Sequence, residues 1–451
     1  MSAVRSLPVA LERLTKWASV DVAAIRDNAA VLRARAGDRV QLMAMVKADG
    51  YGHGAVLAST AALRGGATWL GVSSPDEALR LRQEGITAPI LVVGWTPPVR
   101  MAELIVAGVD ITVWEPAQVE AAAVAAAGSR AAGGRAAGGP PGGGPAGGGP
   151  ATVPPLGRLH LKVDTGMGRL GCPPPQLGEL AEAVWRAGDL VRPVGVLTHF
   201  ADAEADPEFT CRQDRLFREA AERLRRRWPG LLLHAANSAA TLLHPGSRHD
   251  LIRCGIALYG YPPPGTGVAA KLGVPPAGAG ASAERGGRLA RPAAIAEGGT
   301  AAVAGLRPAM TFTARITQVK TVSAGESVGY GRTWVAERDT RIATVAAGYA
   351  DGVHRAQSNR GVVLIGGRRC PIVGRVSMDQ LTADVSAAGG ARAGDEAVIF
   401  GRQGAEWLGA DEVAAAVGTI SYEVLCSVSA RVPRVSAGSV EAQVEEDDAG
   451  P

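Results

Sequence analysis

Short apolar runs alternate with helical patterns between residues 38 and 260 of the chain. The runs that predict strands are Val40–Val46, Thr68–Val72, Pro89–Val93, Ile111–Trp114, Leu159–Val163, Val194–Leu197, Leu231–Leu233 and Ile256–Leu258. Amphipathic segments lie between most of them, for example residues 75–85 and 211–227, and these predict helices. Strands that alternate with helices form βαβ units, and eight of them predict an α/β fold of the (β/α)8 TIM-barrel type.

The pattern changes from residue 303 onward. Short β-type runs follow one another there, separated by Gly, Asp and Arg turns: TFTARITQVKTV, RIATVAAG, VVLIGG, CPIVGRV and DEAVIF. One helix is predicted in GADEVAAAVG. Such a pattern is typical of an antiparallel sheet. The chain is therefore predicted to form a barrel over residues 1–262, followed by a separate, mostly antiparallel β domain over residues 303–440.

Three segments lack the side chains that could build a core. Residues 128–150 and 263–302 are rich in Gly, Ala and Pro, and residues 441–451 form an acidic tail. We interpret the first two as flexible surface insertions and the tail as disordered. The glycine tract is not followed by the GK[ST] sequence of a phosphate-binding loop, so a role in phosphate binding is not indicated.

Composition excludes several classes of function. The net charge is only +4, which excludes a nucleic-acid coat or a polybasic membrane binder. The five cysteines are widely spaced without a CxxC pair, so neither a metal site nor a disulfide framework is indicated. The N-terminal segment is interrupted by Pro8, Glu12 and Arg13, and apolar stretches stay shorter than the ~20 residues of a membrane span. We therefore expect a cytoplasmic protein without nucleic-acid or membrane partners.

Lysine is rare in this chain, which makes the position of each one informative. Arginine supplies almost all of the 47 basic residues, but Lys47 stands where the first barrel strand opens into the turn KADGYGHG. An amine can form a Schiff base, which a guanidinium cannot. The alternative is a solvated lysine at a strand end, but its rarity and its position at the barrel mouth favour chemistry. Tyr51 could direct its hydroxyl to a cofactor phosphate or could only pack the turn.

The segment MAMVKADGYGHG resembles the pyridoxal-phosphate lysine motif of the alanine racemases. Eight further motifs follow in the order of that family: LHLKVDTGMGRLG, THFADAEAD, HAANSAATL, IRCGIALYG, VGYGRTW, AAGYADGVHR, VGRVSMDQ and SYEVLCSVSARVPRV. The resemblance covers nearly the whole chain outside the two insertions and the tail. It implies a pyridoxal-phosphate-dependent enzyme that interconverts L-alanine and D-alanine and supplies D-alanine for peptidoglycan.

The resemblance also implies roles for individual residues. Lys47 would hold the cofactor and act as one catalytic base, and Tyr330 would be the second base, contributed by the partner subunit of a homodimer with shared active sites. The positions around the cofactor phosphate are Tyr51, Ser238, Gly255, Ile256 and Tyr422. Both bases normally have pKa values near ~10, so nearby positive charge is expected to lower them.

The remaining implied roles concern orientation of the cofactor and the substrate. Arg253 would face the pyridine nitrogen, with His199 between it and Tyr330, and Arg169 would contact the substrate carboxylate. Lys162, which is carbamylated in some members of the family, would position Arg169. The residues at the substrate contact and the entrance are Met378, Tyr349 and Asp379.

Other interpretations remain open at this point. Ser377 stands where a cysteine is common, so a broader racemase that also acts on serine is one alternative. Basic-amino-acid decarboxylases share the architecture but are disfavoured by the GYGRTW and SMDQ motifs. A non-catalytic pyridoxal-phosphate-binding protein would not need the second domain. We interpret Asp164 as a residue that satisfies the backbone of its turn, and we assign no role to His160.

Overall fold

The protein is described here by a computed structural model, which covers residues 11–136, 155–263 and 305–437. The predicted insertions lie outside these residues over 137–150 and 264–302, and so does the predicted tail. The strands, in chain order, are β1 (Lys16–Val20), β2 (Gln41–Met45), β3 (Trp69–Val72), β4 (Ile90–Val92), β5 (Asp110–Val113), β6 (Gly157–Lys162), β7 (Val191–Leu197), β8 (Leu232–His234), β9 (Leu251–Cys254), β10 (Met310–Val322), β11 (Ser327–Val328), β12 (Trp334–Val335), β13 (Thr340–Val345), β14 (Val362–Ile365), β15 (Arg368–Pro371), β16 (Leu381–Asp384), β17 (Glu396–Gln403), β18 (Glu406–Leu408) and β19 (Arg434–Ser436).

The helices connect the strands in the first half of the chain and are fewer in the second. They are α1 (Val22–Ala36), α2 (Lys47–Tyr51), α3 (Ala55–Arg64), α4 (Pro75–Gln83), α5 (Met101–Val106), α6 (Pro116–Ala136), α7 (Leu177–Arg186), α8 (Pro207–Arg227), α9 (Ser238–Leu243), α10 (Ala410–Val417) and α11 (Ser421–Ser427). Within the described part of the chain, no helix is both long and apolar enough to span a membrane.

Strands β2 to β9 form one parallel sheet in the order β8-β7-β6-β5-β4-β3-β2-β9. The two end strands also meet, because the backbone N–H groups of Asp250 and Arg253 donate to the carbonyl oxygens of Leu233 and Ala236 at 3.0 and 2.9 Å. Most residues of these strands are buried, as expected where helices cover the outside of a sheet and side chains fill its interior. The predicted (β/α)8 barrel is confirmed.

The last barrel strand lies earlier in the chain than predicted. The apolar run Ile256–Leu258 is part of a 3-10 turn, Ile256–Tyr259, and the strand is Leu251–Cys254. The prediction was wrong because the strand carries a charged residue, Arg253, which interrupts its apolar pattern. The run after Gly255 is apolar because the turn itself is fully buried.

Helix α6 continues into the segment that was predicted to be a flexible insertion. The helix ends at Ala136, so residues 128–136 are helical rather than irregular. This part of the prediction was wrong because alanine has the highest helix propensity and offsets the glycines nearby. Arg130 also ties the end of the helix to its surroundings, since its guanidinium donates to the carbonyl oxygen of Pro155 at 2.9 Å and pairs with Asp189.

The second half of the chain forms the predicted β domain. One sheet has the order β15-β14-β17-β10-β1-β19, with β13 paired to β10 and β16, and β18 paired to β17. The pairs are antiparallel except for β1 with β19, so a mostly antiparallel domain is confirmed. Strands β11 and β12 form a small hairpin over a cluster of Val322, Val328, Ala336, Ile342 and Val373.

Contacts among the described residues divide the chain into two compact units. The barrel unit comprises residues 29–48 and 62–255, and the β unit comprises residues 1–28, 49–61 and 256–451, as far as these are described. Strand β1 lies between β10 and β19, so the N-terminal segment belongs to the β unit, which its pattern did not predict. The predicted domain boundaries at residues 262 and 303 stay a prediction.

Candidate active site

Lys47 follows strand β2 after one intervening residue, Val46, and so lies at the carboxyl end of the barrel sheet, as the sequence predicts. The four residues that follow it all have positive φ: 53° at Ala48, 52° at Asp49, 65° at Gly50 and 51° at Tyr51. Helix α2 is therefore a left-handed turn. Each L-residue in that region costs roughly 1–2 kcal/mol, so the surrounding structure must hold the turn in place.

Tyr51 lies among stacked rings of the β unit. Its ring centroid is 5.0 Å from that of Tyr259 and 6.0 Å from that of Tyr422, and the His53 ring lies 4.4 Å from Tyr259 on a stacked plane. Burial lowers the pKa of His53 to about 4, so the ring is neutral. A protonated Nδ1 can then donate to the carbonyl oxygens of Gly50 at 3.1 Å and Tyr51 at 2.9 Å. The structure thus brings Tyr51 and Tyr422 together, and His53 stabilises the left-handed turn through the carbonyl oxygens of Gly50 and Tyr51.

Arg253 projects from strand β9 and is buried. Its guanidinium donates to the carbonyl oxygens of His234 and Thr198 at 2.6 Å each and of Ala235 at 3.0 Å. The same group lies 3.3 Å from Nδ1 of His199. Burial lowers the pKa of Arg253 to about 10, which still leaves the guanidinium charged at neutral pH. The predicted neighbours Arg253 and His199 are therefore in contact.

Positive charge accumulates around His199 in the barrel unit. Burial lowers the pKa of His199 well below its ordinary value, and the charges of Arg253, Arg169, Lys162 and Lys47 lower it further. The pKa of Lys162 falls to about 8 through burial, with contributions from Arg253 and Arg169 that Asp164 opposes in part. A concentration of cations of this kind fits a ligand with several negative charges, such as a phosphorylated cofactor together with a substrate carboxylate.

Asp164 holds the loop that carries Arg169. One of its carboxylate oxygens accepts hydrogen bonds from the backbone N–H groups of Gly166, Met167 and Gly168 at 2.8 to 3.1 Å. Burial alone would raise the pKa of Asp164, but these backbone donors outweigh it and the pKa falls below its ordinary value. The predicted structural role of Asp164 is confirmed.

Two of the predicted phosphate positions meet in the barrel unit. The backbone N–H of Gly255 donates to Oγ of Ser238 at 3.0 Å, and Ser238 is the first residue of α9. The side chain of Asn237 caps this helix by accepting from the backbone N–H of Ala240 at 2.9 Å. Ile256, the next predicted position, opens the buried 3-10 turn of the β unit.

Tyr330 lies on an exposed turn between strands β11 and β12, and 73% of its surface is accessible. Gly329 and Gly331 flank it with φ angles of 77° and 72°, a conformation that glycine adopts without strain. Arg332, which follows with φ 50°, donates from Nε to Oγ of Ser327 at 2.9 Å. The hairpin therefore presents the tyrosine away from its own hydrophobic cluster.

The three predicted entrance and substrate residues lie together in the β unit. The backbone N–H of Tyr349 donates to the carbonyl oxygen of Ser377 at 3.0 Å, and the next residue, Ala350, donates to that of Met378 at 3.0 Å. Asp379 pairs with Arg431 at 2.7 Å. The side chains of Tyr349 and Met378 are exposed.

Sequence analysis missed a buried chain of polar side chains in the barrel. Asp110 accepts from Arg158 at 2.6 Å and lies 3.1 Å from Nε2 of His160. Nδ1 of His160 is 2.9 Å from Nε2 of His234, whose Nδ1 is 3.2 Å from Arg253. The signal in the sequence was a histidine inside the apolar run Leu159–Val163, because a polar side chain that is buried with such a strand requires a partner.

Comparison with known proteins assigns the family. The family profile described as "Alanine racemase, N-terminal domain" matches residues 20–263, and that of the C-terminal domain matches residues 309–436. The chain belongs to the alanine racemase family. The predicted family and the predicted enzyme class, an isomerase, are confirmed. The family in general uses pyridoxal phosphate and supplies D-alanine for peptidoglycan.

Individual members of the alanine racemase family resemble the chain over almost its whole length. The alanine racemase of Symbiobacterium thermophilum is 39% identical over 425 residues, which cover 94% of this chain and 97% of that protein. That of Salinispora arenicola is 42% identical, with 92% and 96% covered. The crystal structure of alanine racemase from D-cycloserine-producing Streptomyces lavendulae has a TM-score of 0.77 and 37% identity, with 95% and 98% covered.

A second solved alanine racemase shows the same fold with a ligand in place. The enzyme from Bacillus anthracis with bound L-Ala-P has a TM-score of 0.76 and 31% identity, covering 94% of this chain and 95% of that one. The similarity includes both the barrel and the β domain, because nearly all of each chain is matched. The fold of this alanine racemase family member is thus the one predicted from its sequence.

Proposed function

We propose that this chain interconverts L-alanine and D-alanine with pyridoxal phosphate bound at Lys47. The observation that carries the proposal is the position of Lys47 at the carboxyl end of β2, in a barrel unit where Arg253 contacts His199 and the charges of Lys162 and Arg169 also lower the pKa of that histidine. An amine in a unit that also carries several cations suits a phosphorylated aldehyde and a carboxylate substrate. When bound, pyridoxal phosphate supplies the electron sink that makes the substrate Cα–H acidic.

The side chains of the chain would supply the proton transfers and the orientation. Lys47 and Tyr330 act as the two bases, one on each face of the substrate Cα. When one of them removes the Cα proton from its face, the other donates a proton to the opposite face. Arg169 orients the substrate carboxylate. Arg253 would face the pyridine nitrogen as a charged group, because its N–H groups donate to three backbone carbonyl oxygens and its pKa of about 10 leaves it protonated.

The phosphate of the cofactor would bind at Tyr51, Ser238, Gly255, Ile256 and Tyr422. The proximity of the Tyr51 and Tyr422 rings within the β unit and the hydrogen bond from Gly255 to Ser238 within the barrel unit support these assignments. Hydroxyl and backbone N–H groups are typical phosphate ligands.

A homodimer with shared active sites would bring Tyr330 to the cofactor of the partner subunit. The support is the exposure of Tyr330 on a hairpin that is held by Val328 and Trp334 in a hydrophobic cluster. Tyr349, Met378 and Asp379 would form the substrate entrance. Lys162, with its pKa lowered to about 8, is a suitable amine for a carbamate that positions Arg169.

The deciding experiment is the optical rotation of L-alanine, followed over time with purified protein and added pyridoxal phosphate. Wild type should bring the rotation to that of the racemate, while Lys47→Ala and Tyr330→Phe should lose most of the turnover. A Tyr330→Phe variant as active as wild type would overturn the two-base assignment. If the wild-type protein binds the cofactor and racemises L-serine but leaves L-alanine unchanged, the assignment of alanine as the substrate is wrong.

A further inference from the structure

Glu77 bridges the turn after Lys47 and the loop that follows strand β3. One carboxylate oxygen accepts a hydrogen bond from the backbone N–H of Ala48 at 2.6 Å. The other accepts from the backbone N–H groups of Ser73 at 2.7 Å and Ser74 at 3.1 Å. Both oxygens are therefore engaged, and each faces a different segment of the barrel unit.

A capping role explains only part of this arrangement. Glu77 is the third residue of helix α4 and forms a capping box with Ser74, whose Oγ accepts from the backbone N–H of Glu77 at 3.4 Å. A capping glutamate needs to reach only the N–H of the N-cap residue. Here the same side chain extends to Ala48, which lies 29 positions earlier and directly follows Lys47.

The bond to Ala48 acts at a strained point of the backbone. Ala48 is the first residue of the left-handed turn, with φ 53°, and lacks the freedom of a glycine. The direction in which the Lys47 side chain leaves the strand depends on the peptide group that joins it to Ala48. A charged acceptor at 2.6 Å from the N–H of that peptide holds it against rotation.

We propose that Glu77 is a positioning residue for Lys47, because its carboxylate fixes the peptide group between Lys47 and Ala48. The inference rests on the proposed function, in which Lys47 holds the cofactor and moves a proton. A shift of 1 Å in a catalytic group can cost about 100-fold in rate, so small backbone movements at this site should be measurable.

The test compares Glu77→Gln with Ser74→Ala. Glutamine keeps the shape of the side chain but has one acceptor oxygen, so its NH2 group must oppose either the N–H of Ala48 or those of Ser73 and Ser74. Ser74→Ala removes the other half of the capping box and leaves the bond to Ala48 in place. Each variant is measured for cofactor affinity by absorbance titration with pyridoxal phosphate, for kcat and KM with L-alanine, and for its urea midpoint.

Glu77→Gln should bind pyridoxal phosphate about tenfold more weakly and lose about tenfold or more in kcat. Ser74→Ala should resemble wild type in both, even if the two variants lose similar amounts in urea midpoint. Equal cofactor affinity and equal kcat in the two variants would show that Glu77 is only a cap and would overturn the inference. If wild type is inactive on alanine, the proposed function fails, and the comparison of cofactor affinities still decides the role of Glu77.

A second variant covers the case in which Glu77→Gln does not fold. Glu77→Asp keeps the charge and both acceptor oxygens, but a side chain shorter by one methylene cannot span the two segments. Circular dichroism establishes that the variant is folded. A folded Glu77→Asp variant with weakened cofactor binding supports the inference, and one with wild-type affinity and kcat would overturn it.

Discussion

Replacing Lys16 by methionine should destabilise the β unit by leaving a buried carboxylate without its main partner. Nζ of Lys16 lies 2.7 Å from Oδ2 of Asp351, whose side chain is fully buried. The same oxygen accepts from the backbone N–H of Gly348 at 3.0 Å, and the other oxygen lies 3.4 Å from Nε of Arg431. Asp351 therefore depends on Lys16 for its closest charge and on Arg431 for a weaker one.

The size of the effect follows from this geometry. Two unit charges 2.7 Å apart attract by about 6 kcal/mol at an effective dielectric constant of about 20, and desolvation offsets much of that. Removing one partner of a buried pair typically costs 3–5 kcal/mol. Because Arg431 still lies near the carboxylate, we expect the lower end, about 3 kcal/mol in the free energy of unfolding.

Urea unfolding followed by far-UV circular dichroism measures this change in Lys16→Met, with Lys16→Arg as the control that keeps the charge. A loss of about 3 kcal/mol corresponds to a fall in Tm of about 6–12 °C for a unit of this size. The turn of Asp351 also carries Tyr349, so KM for L-alanine should rise in Lys16→Met and return toward wild type in Lys16→Arg.

A double-mutant cycle refutes or supports the reasoning. Asp351→Asn removes the buried charge but keeps an oxygen for the N–H of Gly348, so Lys16→Met combined with Asp351→Asn should lose less than the sum of the two single losses. Additive losses would mean that the two side chains do not interact. A loss below about 0.5 kcal/mol in Lys16→Met would mean that the carboxylate is not buried as the structure has it.

Two further predictions concern Lys162 and Gly52. The pKa of Lys162 is lowered from 10.5 to about 8 by burial, so the unfolded chain binds an additional proton between these values and stability should rise with pH across that window. Lys162→Met should therefore increase the free energy of unfolding of the cofactor-free protein at pH 7, and this gain should disappear by pH 10.5. An equal gain in the free energy of unfolding at both pH values, measured by urea titration, would contradict the lowered pKa. Gly52 has φ 82°, and an added Cβ would lie 2.2 Å from the carbonyl oxygen of Leu425, whereas Gly37 has φ 96° with open space around it. Gly52→Ala should consequently lower Tm more than Gly37→Ala, and equal losses would mean that strain in φ is the whole effect.

Periodicity sufficed for most of the fold, and its failures have physical causes. Seven of the eight predicted barrel strands overlap observed ones, because strands buried on both faces are continuously apolar. The eighth was misplaced because Arg253 lies inside the strand and donates to the carbonyl oxygens of His234 in β8 and of Thr198 just after β7, which a local pattern does not reveal. Strand β1 was missed because a local pattern does not show that its partners β10 and β19 lie far along the chain.

The candidate site divides in the same way. Lys47 was recognisable from its rarity and its position at a strand end, and the motif resemblance named the other residues. The chain of Asp110, His160 and His234 was not recognisable, because its successive members are 50 and 74 positions apart in the sequence and meet only inside the barrel. Glu77 was hidden differently, since its place in a capping box explains it without any reference to Lys47.

The sequence by itself determined the alternation of strands and helices, the change to a β domain and the family, because these depend on local patterns and on motifs in order. Only the tertiary structure decided which polar side chains share a partner, how the left-handed turn after Lys47 is held, and that the N-terminal strand belongs to the β unit. These features depend on hydrogen bonds and charges between distant segments, such as Glu77 with Ala48 and Lys16 with Asp351. Their strength is set by distance and burial, and both exist only once the chain is folded.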